Sequence, residues 1–279
     1  MIQLAEKPLN IDLVWYFDKA PWVYPLYRDG VRAAMEELKK RGHTVRWHLG
    51  LDPEIPKDSD FILLWDSSNS DFIDKLKEYK QRKGLILTTD LGINYENLKV
   101  FDVIYPEVQF IADNLRSRGF YAIKAFGTDT DFFRPEGRRK VYNHIFPSTF
   151  SPWKRQNVFA TMYGASGLCV GTIQPDGTSI FEEVVQKGTH TIVGYIPVEA
   201  LKVLYDMSKE VTITAWEGSG RTVLEALSMG LPVSVADDNA KCQSYIKELN
   251  TSGLSGREFV ETYYSAEVYS DNLLKGMYA

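Results

Sequence analysis

Short apolar runs alternate with segments of helical period along almost the whole chain, and this alternation restricts the fold more than any other feature of the sequence. A short run rich in Val, Ile and Leu, bounded by turn residues, reads as a buried strand. Strands separated by amphipathic helices build parallel sheets with helices on their faces. In the first half, strands are predicted at residues 11–16, 44–49, 61–65, 85–88, 103–105 and 122–125, and helices at 27–41, 71–82 and 108–118. The first of these helices places Val31, Met35 and Leu38 on one face, and Gly42 ends it. The second half restarts the alternation, with strands at 142–146, 168–171, 191–193, 211–214 and 233–236 and helices at 155–163, 180–187, 198–207 and 222–229. A helical tail follows over 259–278. Between the halves, AFGTDTDFFRPEGRRK carries Pro135, Gly137 and several charges and reads as a linker. The expected fold class is α/β, in two domains, 1–135 and 136–279.

Length supports that division: 279 residues exceed one small core and suit two domains of about 100–150 residues. With 44% hydrophobic and 25% charged residues the composition is that of a soluble globular protein. The net charge is −5 and neither half is basic, which argues against a nucleic-acid module and against a strongly cationic membrane-docking face. No apolar run approaches the ~20 residues that span a bilayer, so any membrane contact is expected to be peripheral. Cys169 and Cys242 have no CxxC spacing and no histidine cluster, so a structural zinc site is not expected. Two isolated thiols fit a reducing cytosol, and the N-terminus lacks the layout of a signal peptide; the expected location is cytoplasmic.

The segment richest in chemistry is WEGSGRTVLEALSMGLP, residues 216–232. Glu217 and Glu225 are separated by seven residues. Glu217 is expected on a loop and Glu225 one to two turns into a helix that Gly230 and Pro232 close. Gly218 and Gly220, on either side of Ser219, let backbone approach a ligand closely. The amides near Gly220, Arg221 and Thr222 are then the unpaired donors of a helix N-terminus, a ready site for phosphate. One short segment can hold a sugar, a diphosphate and a ribose.

This pattern resembles the E-x7-E signature of retaining glycosyltransferases of the GT-B fold, in the family-4-like group that uses nucleotide sugars. The familiar form is E-G-F-G-x-x-x-L-E-A-x-A-x-G-x-P, and here it reads EGSGRTVLEALSMGLP, with Ser219 where an aromatic residue is usual. Gly127, Asp129, Phe133 and Pro135 are similar to that group's G-V-D-x-x-x-F-x-P element, Thr128 replacing valine. GYIPVEALKVLYDMS resembles the segment just upstream of E-x7-E, and KKRGHTVRWH resembles the turn after the first helix. PSTFSPWKRQN resembles the loop G-R-x-x-x-x-K-G, with Lys154 on the lysine, Thr149 where the arginine is usual and Arg155 where the glycine is usual.

The resemblance implies two Rossmann-like domains whose parallel sheets face each other across a cleft, with a C-terminal helix that often crosses back onto the first domain. It implies a nucleotide-diphosphate sugar as donor substrate, no cofactor and no metal. Glu217 and Lys154 would act in catalysis, Glu217 at the donor sugar and Lys154 at the departing diphosphate, with Arg155 or Arg221 as second cation. Lys154 is expected to be exposed at a helix start. Glu225 would accept both ribose hydroxyls, since a carboxylate has two acceptor oxygens. Ile196 would lie near the base. The acceptor, a sugar, a lipid-linked or another small molecule, would meet the first domain. That domain departs from the pattern. FDKAPWVYP lacks the usual Gly-Gly loop; its Trp22 and Tyr24 can line an acceptor pocket or pack in a core. Asp90 stands where relatives carry a histidine and can hold sugar hydroxyls or cap a turn. These departures keep two alternatives open, a nucleotide-sugar-binding protein without catalysis and a nucleotide-sugar epimerase of the same architecture.

Overall fold

The computed structural model of the chain describes residues 7–15, 30–50, 53–87 and 92–279. Its strands pair, all in parallel, into two five-stranded sheets. Of the described residues, those up to Phe126 together with Ala266–Ala279 form one compact unit, and Gly127–Ser265 form the other.

The first unit runs β1 (Asn10–Trp15), α1 (Gly30–Lys40), β2 (Thr44–Leu49), β3 (Phe61–Asp66), α2 (Phe72–Leu76), β4 (Arg82–Leu87), α3 (Tyr95–Leu98), β5 (Val103–Pro106) and α4 (Gln109–Ser117). Its sheet order is β2-β1-β3-β4-β5. β1, β4 and β5 are buried almost throughout, as strands covered on both faces must be. α1 turns Val31, Ala34, Met35 and Leu38 into the core. Two expectations fail here. The segment 71–82 is helical only over α2, whose Phe72, Ile73 and Leu76 are buried. After Leu76 no apolar residue continues that face until Tyr79, and β4 begins at Arg82. The segment 122–125 is not a strand but makes one bridge, Ile104–Ala122, beside β5. β5 ends at Pro106, which has no N–H with which to extend a ladder.

The second unit runs β6 (Tyr142–Pro147), α5 (Gln156–Tyr163), β7 (Gly167–Gly171), α6 (Thr178–Gln186), β8 (His190–Val193), α7 (Val198–Asp206), β9 (Ser208–Ile213), α8 (Gly220–Ser228), β10 (Val233–Val235), α9 (Ala240–Ser252) and α10 (Gly256–Tyr263). The order is β10-β9-β6-β7-β8. The chain steps from β6 outward to β7 and β8, then returns to β9 on the other side of β6. The loops after β6 and β9 therefore leave neighbouring strand ends in opposite directions. Such a switch point opens the crevice in which open α/β sheets hold ligands.

The last helix, α11 (Ala266–Tyr278), belongs to the first unit. Tyr269, Leu273, Leu274 and Met277 join the core built by β1, β3 and α1. Gly276 lies so close to β5 that a Cβ there would strike the Tyr105 hydroxyl and come within 2.8 Å of Val103 Cγ2. That hydroxyl donates to the Leu273 carbonyl at 2.8 Å, and Arg82 donates to the Met277 and Gly276 carbonyls at 2.7 and 3.2 Å. Arg82 thus meets two of the final carbonyls of the helix, which have no intrahelical donors.

Asp12 on β1 is fully buried, and β2 supplies its partners: Arg46 donates to both carboxylate oxygens at 2.8 and 2.7 Å, and His48 Nε2 lies 2.6 Å from Oδ1. Burial alone would push the Asp12 carboxyl up; the His48 and Arg46 hydrogen bonds outweigh it and hold the group at about 2, against 3.8 unperturbed. The ionised form is thus favoured by folding. Its contribution, about 2 kcal/mol, is complete above the unperturbed value and is lost as pH falls from about 4 to about 2. Thermal midpoints across that window should fall for the wild type and fall less for Asp12→Asn; identical acid limbs would refute this account.

Candidate functional site

The loop after β6 is fixed before it reaches Lys154. Ser148 and Phe150 donate backbone N–H groups to Val170 and Thr172 at 2.8 and 2.7 Å. Gln156, fully buried, donates its side-chain amide to the Thr149 carbonyl at 2.5 Å and the Ser148 carbonyl at 3.3 Å. Thr214, just past β9, donates its hydroxyl to the Arg155 carbonyl at 2.8 Å. Arg155 holds the left-handed backbone conformation, φ 55°, at the position where the resembled motif has glycine.

The loop after β9 comes to the same place. Gly218 and Ser219 both have positive φ, 67° and 69°, and α8 starts immediately at Gly220. The Ser219 side chain does not cap that helix. Lys154 Nζ donates to the Glu217 carbonyl at 3.1 Å and to Ser219 Oγ at 3.3 Å, and a Cβ on Gly218 would lie 2.8 Å from it. Two segments 63 residues apart in sequence therefore meet at the switch point between β6 and β9. Lys154 is not the exposed lysine expected from sequence; it is half-buried, and that burial pushes its ammonium below the ordinary lysine range. Cys242 and Glu217 partly offset the shift, while Lys241 and Arg221 add to it. Among the described residues, Arg155 and Ser219 are the only non-glycine positions with positive φ. Both adjoin Lys154, by sequence in one case and by hydrogen bond in the other. Backbone held in such conformations costs of order 1–3 kcal/mol per residue and clusters at functional sites.

Glu225 lies on the buried face of α8 and is 2% exposed. The Tyr205 hydroxyl donates to its Oε2 at 3.0 Å, and Tyr205 packs edge-to-face on Phe133. Phe133 is fully buried in the second unit, and the Ser228 hydroxyl donates to its carbonyl at 2.6 Å. The Gly127–Pro135 element is thus joined to the glutamate through one tyrosine. Tyr205 was not among the expected site residues, although it is the tyrosine of the segment similar to the one upstream of E-x7-E.

The remaining expected residues fall as follows. Arg221 and Thr222 occupy the first turn of α8, both half-buried. Arg155 pairs its guanidinium with Asp238 at 2.6 Å. Thr149 is half-buried in the β6 loop. Ile196 follows β8, three strand spacings from β9, or about 14 Å along the sheet edge. Asp90, Trp22 and Tyr24 lie outside the described residues. Among the described residues no group of three or more His, Cys, Asp or Glu could hold a metal ion, and no helix is long and apolar enough to cross a membrane.

No family model matches the chain, and no curated protein matches it by sequence. Solved structures do match it. The catalytic domain of starch synthase IV from Arabidopsis thaliana, bound to ADP and acarbose, superposes with a TM-score of 0.64 at 11% identity, over 98% of this chain and 100% of that one. An alpha-glucosyltransferase in complex with UDP and a 13-mer DNA containing an HMU base gives 0.62 at 13% identity, over 98% and 100%. A UDP-GlcNAc 2-epimerase from Neisseria meningitidis bound to UDP-GlcNAc gives 0.55 at 11% identity, over 97% and 100%. The chain shares with these GT-B proteins the architecture of two Rossmann-like units; in this chain each unit is built on a parallel five-stranded sheet.

Proposed function

We propose that the chain is a glycosyltransferase that moves a hexose-type sugar, with retention, from a nucleotide-diphosphate donor to a small acceptor. The observation that carries this reading is the meeting of the Lys154 ammonium with the Glu217–Ser219 turn at an uncapped helix start. A departing diphosphate gathers negative charge, and a fixed cation beside helix amides stabilises it most in the transition state. In this reading Lys154, Thr149, Ser219 and the amides of Gly220, Arg221 and Thr222 surround the diphosphate. Gly218 leaves room for the Lys154 head. Arg155 exchanges Asp238 for a phosphate oxygen or leaves the second cationic role to Arg221. Glu217 faces the donor sugar, Glu225 the ribose, and Ile196 the base. The acceptor is assigned to the first unit, with Asp90, Trp22 and Tyr24. Because side chains supply the positive charge, transfer is expected to survive EDTA.

Thermal stabilisation by UDP, GDP and ADP, followed by turnover of UDP-glucose, GDP-mannose and ADP-glucose in EDTA, tests the proposal. Glu225→Ala should weaken the nucleoside diphosphate by roughly 1.5–3 kcal/mol, the scale of a charge-assisted hydrogen bond. Glu217→Ala should chiefly lower turnover. Equal affinity in wild type and Glu225→Ala would count against the ribose assignment, and activity that needs added manganese or magnesium against metal independence. The epimerase of the same architecture makes a second reading concrete: an altered sugar stereocentre in the product, without transfer, would support it, and binding without turnover would mark a binding protein.

A further inference from the structure

The turn that carries Glu217 is also gripped by the residue just before α9, a helix that apolar periodicity does not predict. Asn239 is fully buried at the start of α9, where its Oδ1 accepts the Cys242 amide at 3.0 Å and so caps the helix. The other half of the same side chain is committed elsewhere. Nδ2 donates to the carbonyls of Ala215 at 3.0 Å and Gly218 at 3.3 Å, the two residues that bracket Trp216 and Glu217. The Cys242 thiol donates to the same Gly218 carbonyl at 3.0 Å. With Lys154 on the Glu217 carbonyl, three side chains from two other segments hold this turn.

A helix cap asks only for an acceptor, which Asp or Ser supplies as well as Asn. The amide N–H groups on two loop carbonyls are what capping leaves unexplained. The turn itself needs holding, since Ser219 is left-handed without being glycine and such backbone persists only where its surroundings fix it. Glu225 has separate support, from the buried face of α8 and from Tyr205.

We propose that Asn239 is a positioning residue: by fixing the Ala215 and Gly218 carbonyls it sets where the Glu217 carboxylate meets the donor sugar. The inference rests on the glycosyl-transfer reading and adds to it a residue that touches neither donor nor acceptor. Asn239→Asp keeps the shape and the capping acceptor but turns both N–H donors into a carboxylate oxygen facing two carbonyls. Asn239→Ser keeps a cap without adding charge, should the first variant fold poorly.

The test uses the full chain, with turnover of UDP-glucose, GDP-mannose and ADP-glucose, calorimetric affinity for UDP, GDP and ADP, and amide hydrogen exchange. Both variants should lower kcat, by about 10²-fold for Asn239→Asp, the scale of an ångström's misplacement at a reacting centre. Affinity for the free nucleoside diphosphate should stay at the wild-type value. Exchange should quicken over residues 216–219 and stay slow over α9. Wild-type kcat, or unchanged protection at 216–219, would overturn the assignment. Loss of protection in α9, with kcat and nucleotide affinity falling together, would overturn it too and reduce Asn239 to a helix cap. If none of the three nucleotides binds the wild-type chain, the glycosyl-transfer reading fails, while the exchange data still decide whether Asn239 holds the turn.

Discussion

Replacing Lys154 with alanine is expected to lower kcat/KM for sugar transfer by about 10²-fold or more, the scale of losing one oxyanion donor. The ammonium sits half-buried where the loops after β6 and β9 meet, so its charge acts through protein rather than through bulk water. Burial already works against that charge, and an anionic diphosphate would favour it strongly. Lys154→Met separates charge from packing: it keeps most of the unbranched side chain and should lose nearly as much activity. Stability should change little, because losing two hydrogen bonds to the Glu217–Ser219 turn is set against relief from a desolvated cation. Arg155→Ala is the companion measurement. A loss as large as that of Lys154→Ala would mean that Arg155 leaves Asp238 for the donor; a small loss would move the second cationic role to Arg221. Full transfer and full diphosphate affinity in Lys154→Ala would remove the site from this place altogether.

Gly177→Ala is expected to cost about 1–3 kcal/mol, as overpacking does, and to slow turnover as well. A Cβ at this position would run into the Phe150 carbonyl oxygen and stand 2.7 Å from its carbon. Neither side can yield cheaply. Phe150 N–H donates to Thr172 at 2.7 Å, Gln174 N–H donates to Phe150 at 3.1 Å, and Gly177 N–H donates to Gln174 at 2.8 Å. The Phe150 ring is fully buried, edge-to-face with Phe181 at 5.4 Å. What moves must be the Phe150 backbone, and with it the loop that ends in Lys154. Urea unfolding and donor turnover measured together check this, and wild-type values for both would show that the loop absorbs a methyl group freely.

Local pattern made much of this molecule readable. Strand–helix alternation locates both sheets because each parallel strand is a buried apolar run, and Gly230 ends α8 with φ 69° as a helix terminator should. Where apolar periodicity thins, the reading fails. α9 buries only Lys241, Cys242 and Tyr245, so it gave no amphipathic signal. Segment 71–82 has helical composition, but only its first turn has a core to pack on. At the site, motif register singled out Lys154, Glu217 and Glu225. It could not show that Lys154 grips the Glu217 turn, that Tyr205 holds Glu225, or that Asp238 and Asn239 close in from the loop before α9. Those contacts join residues 20 to 83 positions apart, and no local periodicity encodes them.

Residues 266–279 reach the core of the first unit only after every residue of the second has been synthesised. At 5–20 residues per second, the 139 residues of Gly127–Ser265 take roughly 7–28 s to emerge from a ribosome. Throughout that interval the nascent first unit lacks Tyr269, Leu273, Leu274 and Met277, and the surface of β4 and β5 that α11 will cover stays open to water. Biogenesis is therefore vectorial in reverse: the segment translated first matures last, and it is the stretch that chaperones have most reason to shield.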